Sequence, residues 1–305
     1  MSDPLFENTV VFPDPGALER YQSLFGLDPV KERLEKEAEI LLRPELLEKW
    51  SKDMHGSKLA ALDSLLRRPP LFIFAGDVGT GKTALATTFG DNLARSSGIQ
   101  VDQFSLSLNT RGSGRVGEMT TLISDAFRFI RTKAHKFPDS GKKAKGATIL
   151  FIDEADSLAQ SRELAHMHHE DRTGVNALIR GIDDIAAAKL CCLVVMCTNR
   201  LGSVDPAVKR RAAAIFEFRR PNLEMRRHIL KTQLAGTGLS SSDIEFLAKE
   251  LGESASRPYG HTFSDIIQRY VPSVILAAYP KEKITHSLAS KVLHETPPTP
   301  PFNEA

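Results

Sequence analysis

The stretch Gly76-Asp-Val-Gly-Thr-Gly-Lys-Thr83 decides the fold of this chain. It follows a short apolar run, Leu71–Ala75, and it opens a helical pattern that begins at Lys82. Glycines let backbone N–H groups curl around a phosphate, a lysine neutralises phosphate charge, and a threonine hydroxyl is a magnesium ligand. The sequence therefore predicts a phosphate-binding loop between a strand and a helix, with ATP and Mg²⁺ as the expected ligands.

The loop and the start of its helix supply most of the predicted nucleotide-binding residues. Lys82 is predicted to neutralise the β- and γ-phosphates and to assist catalysis, and Thr83 to ligate Mg²⁺. The predicted nucleotide-binding residues here are Gly76, Asp77, Val78, Gly79, Thr80, Gly81, Lys82, Thr83 and Ala84.

Two carboxylates follow the apolar strand Ile149–Ile152, namely Asp153 and Glu154. Ligands of open α/β sheets bind at the carboxyl ends of the strands, where this pair is expected to lie. Asp153 is predicted to bind nucleotide and to hold Mg²⁺ through water. Glu154 is predicted to polarise the attacking water. The intact glutamate predicts hydrolysis and not only nucleotide binding.

Two further candidates lie after the next strand. Asn199 follows the run Leu193–Thr198 and either orients the same water or simply forms a turn. Arg210 and Arg211 follow Asp205, and one of them is predicted to be an arginine finger that serves a neighbouring subunit. The alternative is that these cations complement their own helix dipole. Spacing alone does not choose between the two arginines.

The chain pattern predicts an α/β fold with a five-stranded parallel sheet and a small C-terminal all-α lid domain. The predicted strands are Leu71–Ala75, Phe104–Leu108, Thr148–Ile152, Leu193–Thr198 and Ile215–Phe218. The predicted regions are an extended N-terminal arm over 1–20, an α/β nucleotide-binding domain over 21–220, the helical lid over 221–294 and a Pro-rich tail over 295–305. The tail is either a flexible end, which we favour, or a docking peptide.

Composition narrows the class of protein. The net charge of +2 comes from 40 basic and 38 acidic residues, which argues against a dedicated nucleic-acid binder. No apolar run reaches membrane-spanning length and the N-terminus lacks a signal layout, so a cytoplasmic protein is expected. Cys191, Cys192 and Cys197 share one apolar run and are interpreted as small core residues.

These motifs, in this order and before a helical domain, resemble the AAA+ superfamily over roughly Leu24–Ala278. The segment 25–31 resembles that family's lead-in to the adenine pocket, which adds Gly26 to the nucleotide-binding residues. The segment 260–266 resembles the small-domain motif of the protein-remodelling branch, where the second-sensor arginine is commonly missing. Here Arg269 is only a weak substitute. The resemblance implies nucleotide between two domains and a homo-oligomer, expected to be a hexamer.

Two segments bear on the substrate. By the same resemblance Arg115, Val116 and Gly117 align with the pore loop that grips polypeptide in remodelling ATPases. Arg115 stands where the family has an aromatic residue, so a charged grip replaces stacking as the hypothesis; the alternative is a solvated glycine loop. The cluster His166–His169 is interpreted as a second pore loop and not as a metal site, with Arg172 near the subunit boundary.

A narrower resemblance rests on 175–183 and 205–212. These stretches are similar to the pachytene-checkpoint-type ATPases that unfold part of HORMA-domain signalling proteins, and to their short bacterial relatives in cyclic-oligonucleotide antiphage systems. That resemblance implies a motor that disassembles a HORMA complex and so resets an immune enzyme. The alternatives are a DNA-associated clamp or helicase loader, another unfoldase or disassembly chaperone, and a nucleotide-gated scaffold.

Overall fold

The computed structural model describes residues 5–107, 118–137, 146–156, 169–255 and 257–302. The chain divides into two compact units, one of Met1–Ala75 with Thr83–Glu217 and the other of Gly76–Lys82 with Phe218–Ala305. Within the described ranges, no helix combines the length and apolar character needed to cross a membrane.

One sheet contains six strands. In chain order they are β1 (Asn8–Phe12), β2 (Leu71–Gly76), β3 (Gln100–Ser107), β4 (Gly146–Asp153), β5 (Cys192–Thr198) and β6 (Ala212–Phe218). Their order across the sheet is β1-β3-β4-β5-β2-β6, and β3, β4, β5 and β2 pair in parallel. Strand β5 is buried along its whole length and β4 up to its last residue, as their continuous apolar sequences require. The α/β class and the five predicted strands are confirmed.

The sixth strand, β1, corrects the prediction of an extended arm over 1–20. It pairs antiparallel with β3 at the edge of the sheet. Only Phe12 among its five residues is buried, so the alternation that marks a half-buried strand is absent from the sequence. Helix α1 (Pro15–Ser23) follows, and its N-cap Asp14 accepts a hydrogen bond from the Ala17 N–H at 2.7 Å.

Helices cover the sheet in the first unit. They are α2 (Asp28–Leu42), α3 (Pro44–His55), α4 (Ala61–Leu66), α5 (Lys82–Ala86, whose first residue belongs to the second unit), α6 (Phe89–Ser97), α7 (Glu118–Ala134), α8 (His169–Ala187) and α9 (Pro206–Lys209). Pro44 separates α2 from α3, because the residue before a proline avoids the α conformation. The core packs Ile152 of β4 and Met196 of β5 with Phe127 of α7 and Leu178 of α8.

The second unit is helical beyond Pro221, as predicted. Its helices are α10 (Leu223–Gln233), α11 (Ser241–Glu250), α12 (Val271–Ala278) and α13 (His286–Glu295), with a π-helical turn, Asp265–Tyr270, directly before α12. Leu230, Leu247 and Tyr270 form part of its own buried core. Ser240 and Asp243 form a capping box at the start of α11.

The Pro-rich stretch beyond α13 differs from the flexible end that the sequence favoured. Thr296 is buried, and its hydroxyl donates to the Val292 carbonyl at 2.9 Å. The Thr299 N–H donates to Asp265 Oδ2 at 3.0 Å. Prolines exclude a helix here, but they do not prevent an extended segment from docking on the helical unit.

Candidate active site

The loop after β2 adopts a backbone that only glycine tolerates at several points. Gly76, Gly79 and Gly81 have φ values of +153°, +75° and +98°. A Cβ atom at Gly76 would lie 2.1 Å from the Phe218 carbonyl oxygen. The glycines therefore set the path of the loop, as the predicted phosphate cradle requires.

Lys82 lies over this loop. Its side chain is largely buried, and Nζ donates to the carbonyl oxygens of Gly76 at 2.7 Å and of Asp77 at 2.8 Å. Buried Thr80 also donates to the Asp77 carbonyl, at 2.7 Å. The ammonium group is thus fixed on the loop, and it is the charge suited to phosphate oxygens.

Asp77 has a charged partner that the sequence did not indicate. Its Oδ2 accepts a hydrogen bond from Arg220 Nε at 2.7 Å within the second unit. Val78, the next residue, is exposed, as is Ala84 on α5. Gly26 lies at the turn between α1 and α2 with a φ of +75°, in the first unit.

The first unit holds the predicted magnesium ligands close together. The Thr83 hydroxyl donates to Asp153 Oδ1 at 3.4 Å, where Asp153 ends β4. Hydroxyl and carboxylate oxygens are the ligand types that Mg²⁺ accepts alongside water, so these residues fit the ion. Glu154 is exposed and has a φ of +49°, a conformation that costs a non-glycine residue about 1 kcal/mol or more.

Asn199 is held by Asp156, an acidic residue whose role was not predicted from the sequence. Asp156 Oδ1 accepts hydrogen bonds from the Asn199 N–H at 2.9 Å and from the Thr198 hydroxyl. The Asn199 side-chain amide donates to Asp156 Oδ2 at 3.2 Å. Asp156 therefore fixes the end of β5 against the residues that follow β4.

The two candidate finger arginines differ in their surroundings. Arg211 makes a bidentate ion pair with Asp183 of α8, at 2.7 and 2.9 Å, and donates to the Ala207 carbonyl at 3.0 Å. The hydrogen bond to Asp183 raises the pKa of the Arg211 guanidinium. The side chain of Arg210 is exposed and makes no ion pair with any residue in the described ranges. Of these two arginines, Arg210 is therefore the one that can contact another molecule without breaking an ion pair within the chain.

The pore-loop candidates Arg115, Val116 and Gly117 lie outside the described residues. Residues His166 to His168 of the histidine cluster lie outside them too. The three cysteines are buried in the core around β5 and no disulfide joins them, in agreement with the sequence interpretation. Burial raises the pKa of the Cys192 thiol to about 12.

A glycine loop after a central strand, a lysine fixed on it and a hydroxyl–carboxylate pair define the class of P-loop nucleotide-binding proteins. The family model described as ATPase family associated with various cellular activities (AAA) matches residues 72–220. CD-NTase-associated protein 6 of Escherichia coli strain MS 115-1 is 52% identical over 300 residues, which span 98% of this chain and 96% of that protein.

Two solved structures agree with this match. A chain of the E. coli MS115-1 HORMA:CdnC:Trip13 complex has a TM-score of 0.92 and 50% identity, over 99% of this chain and 100% of that chain. The Rhizobiales Trip13 structure has a TM-score of 0.76 and 41% identity, over 97% of this chain and 100% of that chain. The protein belongs to the AAA ATPase family.

Proposed function

We propose that this chain is a cytoplasmic ATPase that assembles into a ring, expected to be a hexamer, and remodels a HORMA-domain signalling protein. Remodelling of that partner would reset a bacterial antiphage immune complex. The observation that carries the proposal is the near-full-length similarity to a chain of the HORMA:CdnC:Trip13 complex.

The residues around the loop have defined parts in the proposed hydrolysis. Lys82 would neutralise the β- and γ-phosphates, and Thr83 and Asp153 would hold Mg²⁺, largely through water. When bound, Mg²⁺ supplies charge neutralisation on the phosphate oxygens. Glu154 would accept the proton of the attacking water, and Asn199, fixed by Asp156, would orient that water.

We propose that Arg210 is the residue that acts on a neighbouring subunit's nucleotide. An arginine delivered in this way stabilises the charge that develops on the transferred phosphoryl group. The exposure of Arg210 supports this role, and the ion pair of Arg211 with Asp183 supports a structural role for Arg211. Hydrolysis would then depend on oligomerisation. For the grip on substrate we keep Arg115, Val116 and Gly117 as the candidates.

The proposal is tested by measuring ATP hydrolysis by the full chain, alone and with a HORMA-domain protein or duplex DNA. We expect the HORMA-domain protein, and not DNA, to stimulate the rate. Glu154→Gln should bind ATP but lose about a hundredfold or more in kcat, as for loss of a general base. Glu19→Gln, a change at an exposed glutamate of α1, is the control and should hydrolyse ATP normally.

Each alternative has its own outcome in this assay. Stimulation by DNA with no response to the HORMA-domain protein would replace the remodelling function with that of a DNA-associated loader. Normal turnover by Glu154→Gln would remove Glu154 from the catalytic residues.

A further inference from the structure

The C-terminal segment 296–302 is anchored through every polar group of one residue, Thr299. The Thr299 N–H donates to Asp265 Oδ2 at 3.0 Å, and its hydroxyl donates to Asp265 Oδ1 at 2.7 Å. Its carbonyl oxygen accepts a hydrogen bond from Arg220 Nη1 at 2.9 Å. All three residues belong to the second unit. Such a set of directed bonds fixes one position of the segment, which apolar contact alone would not.

Two further contacts hold the same segment. A ring nitrogen of buried His261, Nε2, lies 2.8 Å from the Thr296 carbonyl oxygen. Arg269 Nη1 donates to the Thr299 hydroxyl oxygen at 3.4 Å and to Asp265 Oδ1 at 2.9 Å. The segment is therefore tied to the stretch that begins at Gly260 and to the π-helical turn after it.

Arg220 connects the segment directly to the phosphate-binding loop. While Nη1 bonds Thr299, Nε donates to Asp77 Oδ2 at 2.7 Å. Nη1 also donates to the Gly260 carbonyl at 2.6 Å, and the guanidinium lies over the Tyr259 ring, 5.2 Å from its centroid. The remaining nitrogen, Nη2, is buried without a partner among the described residues. This buried nitrogen without a hydrogen bond makes the arrangement of the guanidinium less stable than a fully bonded one.

A second connection reaches the loop through Gly79. The Ser264 N–H donates to the Gly79 carbonyl at 3.1 Å, and a Cβ atom at Gly79 would lie 2.7 Å from Thr262 Oγ1. Thr262 and Asp265 bond each other reciprocally, at 2.9 and 3.1 Å. Asp265 thus holds both Thr299 of the segment and Thr262, which lies against the loop.

We propose that Arg220 and the segment 296–302 are positioning elements of the nucleotide site, which hold the phosphate-binding loop in the conformation that accepts a nucleoside diphosphate. The inference rests on the proposed nucleotide-binding function. Its physical basis is pre-organisation: a loop held by the Asp77–Arg220 and Gly79–Ser264 contacts loses less conformational freedom when phosphate binds.

The test is the affinity of the full chain for a fluorescent ADP with Mg²⁺, together with thermal unfolding without nucleotide. Arg220→Met keeps much of the side-chain length and removes the charge, and it should weaken ADP binding about tenfold or more, the range for a charged hydrogen bond. Thr299→Val removes one hydroxyl and should weaken binding about threefold. The double variant Asp77→Asn/Arg220→Met should bind ADP no more weakly than Arg220→Met alone, because the two changes break the same contact.

Arg226→Met is the matched control. Arg226 lies in the same unit and donates to the carbonyls of Ala248 and Pro221, at 2.7 and 2.6 Å. This change should lower the unfolding temperature and leave ADP affinity unchanged. If Arg220 had a merely structural role, Arg220→Met would also lower the unfolding temperature and leave the ADP affinity unchanged, and Thr299→Val would bind ADP as the wild type does. That result would overturn the inference.

Lys82→Ala separates this inference from the proposed function. If Lys82→Ala loses ADP binding while Arg220→Met and Thr299→Val bind as the wild type does, only the positioning inference is wrong. If Lys82→Ala binds ADP normally, the nucleotide site itself is wrong and the inference falls with it. Independent, multiplicative effects of Asp77→Asn and Arg220→Met would also contradict the connection.

Discussion

Gly76 is a residue at which the loop leaves no room for a side chain. A Cβ atom there would lie 2.1 Å from the Phe218 carbonyl oxygen, and its φ of +153° is rare for any other residue. We predict that Gly76→Ala destabilises the fold by well over the cost of about 1 kcal/mol that positive φ alone imposes. The measurement is the free energy of unfolding in denaturant, with ADP binding as a second readout.

Gly236→Ala is the matched control for this change. Gly236 has a φ of +82°, and a Cβ atom there would meet nothing within 4 Å. This substitution isolates the cost of the backbone conformation from that of the steric clash. Equal losses of stability in the two variants would show that the Phe218 contact does not constrain the loop.

The sequence predicts site residues where their chemistry is local. Lys82 and Thr83 follow from the spacing of one motif, and the Thr83 hydroxyl donates to Asp153 Oδ1 at 3.4 Å. Asp156 and Arg220 could not be assigned in this way. Their partners Asn199 and Asp77 are 43 and 143 positions away in the chain, so only the folded topology brings them together.

At the scale of elements, Asp265 joins the π-helical turn to the C-terminal segment. Burial would raise the pKa of its carboxyl, but hydrogen bonds from Thr262 and Thr299 outweigh that effect and hold the pKa at about 2, below the ordinary 3.8. A depressed pKa in the folded state contributes stability that is present above about pH 4 and is lost as the pH falls toward 2. We predict that Asp265→Asn lowers the unfolding temperature at pH 5 and flattens its dependence on pH between 5 and 2.

The control for this prediction is Asp53→Asn, at an exposed aspartate of α3. This variant should retain the wild-type dependence of unfolding temperature on pH. If Asp265→Asn and the wild type lose stability in parallel through acid, the ionised carboxylate does not hold the segment.

Elements were predictable where a regular apolar pattern marks them. Strands β4 and β5 are buried almost throughout and were recognised from continuous apolar runs. Strand β1 was missed because an edge strand with one buried residue has no such pattern. The docking of 296–302 was not predicted either, since it depends on hydrogen bonds to distant side chains and not on hydrophobic periodicity.

At the scale of the whole molecule, most of the proposed catalytic residues act within their own chain, whereas Arg210 is proposed to act on the nucleotide of a neighbouring chain. Arg211 is committed to Asp183 by a bidentate ion pair. Arg211→Ala is therefore expected to cost stability and to leave hydrolysis intact below the unfolding temperature. Arg210 is exposed, so its loss should leave folding and ADP binding unchanged and reduce kcat by about a thousandfold, as for an arginine finger.

Mixing experiments test whether Arg210 acts between subunits. Arg210→Ala and Lys82→Ala proteins should each be inactive alone, but their mixture should recover part of the ATPase rate. In mixed rings, the intact Arg210 of a Lys82→Ala subunit can face the intact loop of an Arg210→Ala neighbour. The double variant Lys82→Ala/Arg210→Ala, mixed with Arg210→Ala, supplies no arginine and should restore nothing. If the first mixture also stays inactive while co-assembly is verified by size, Arg210 does not complete a neighbour's site.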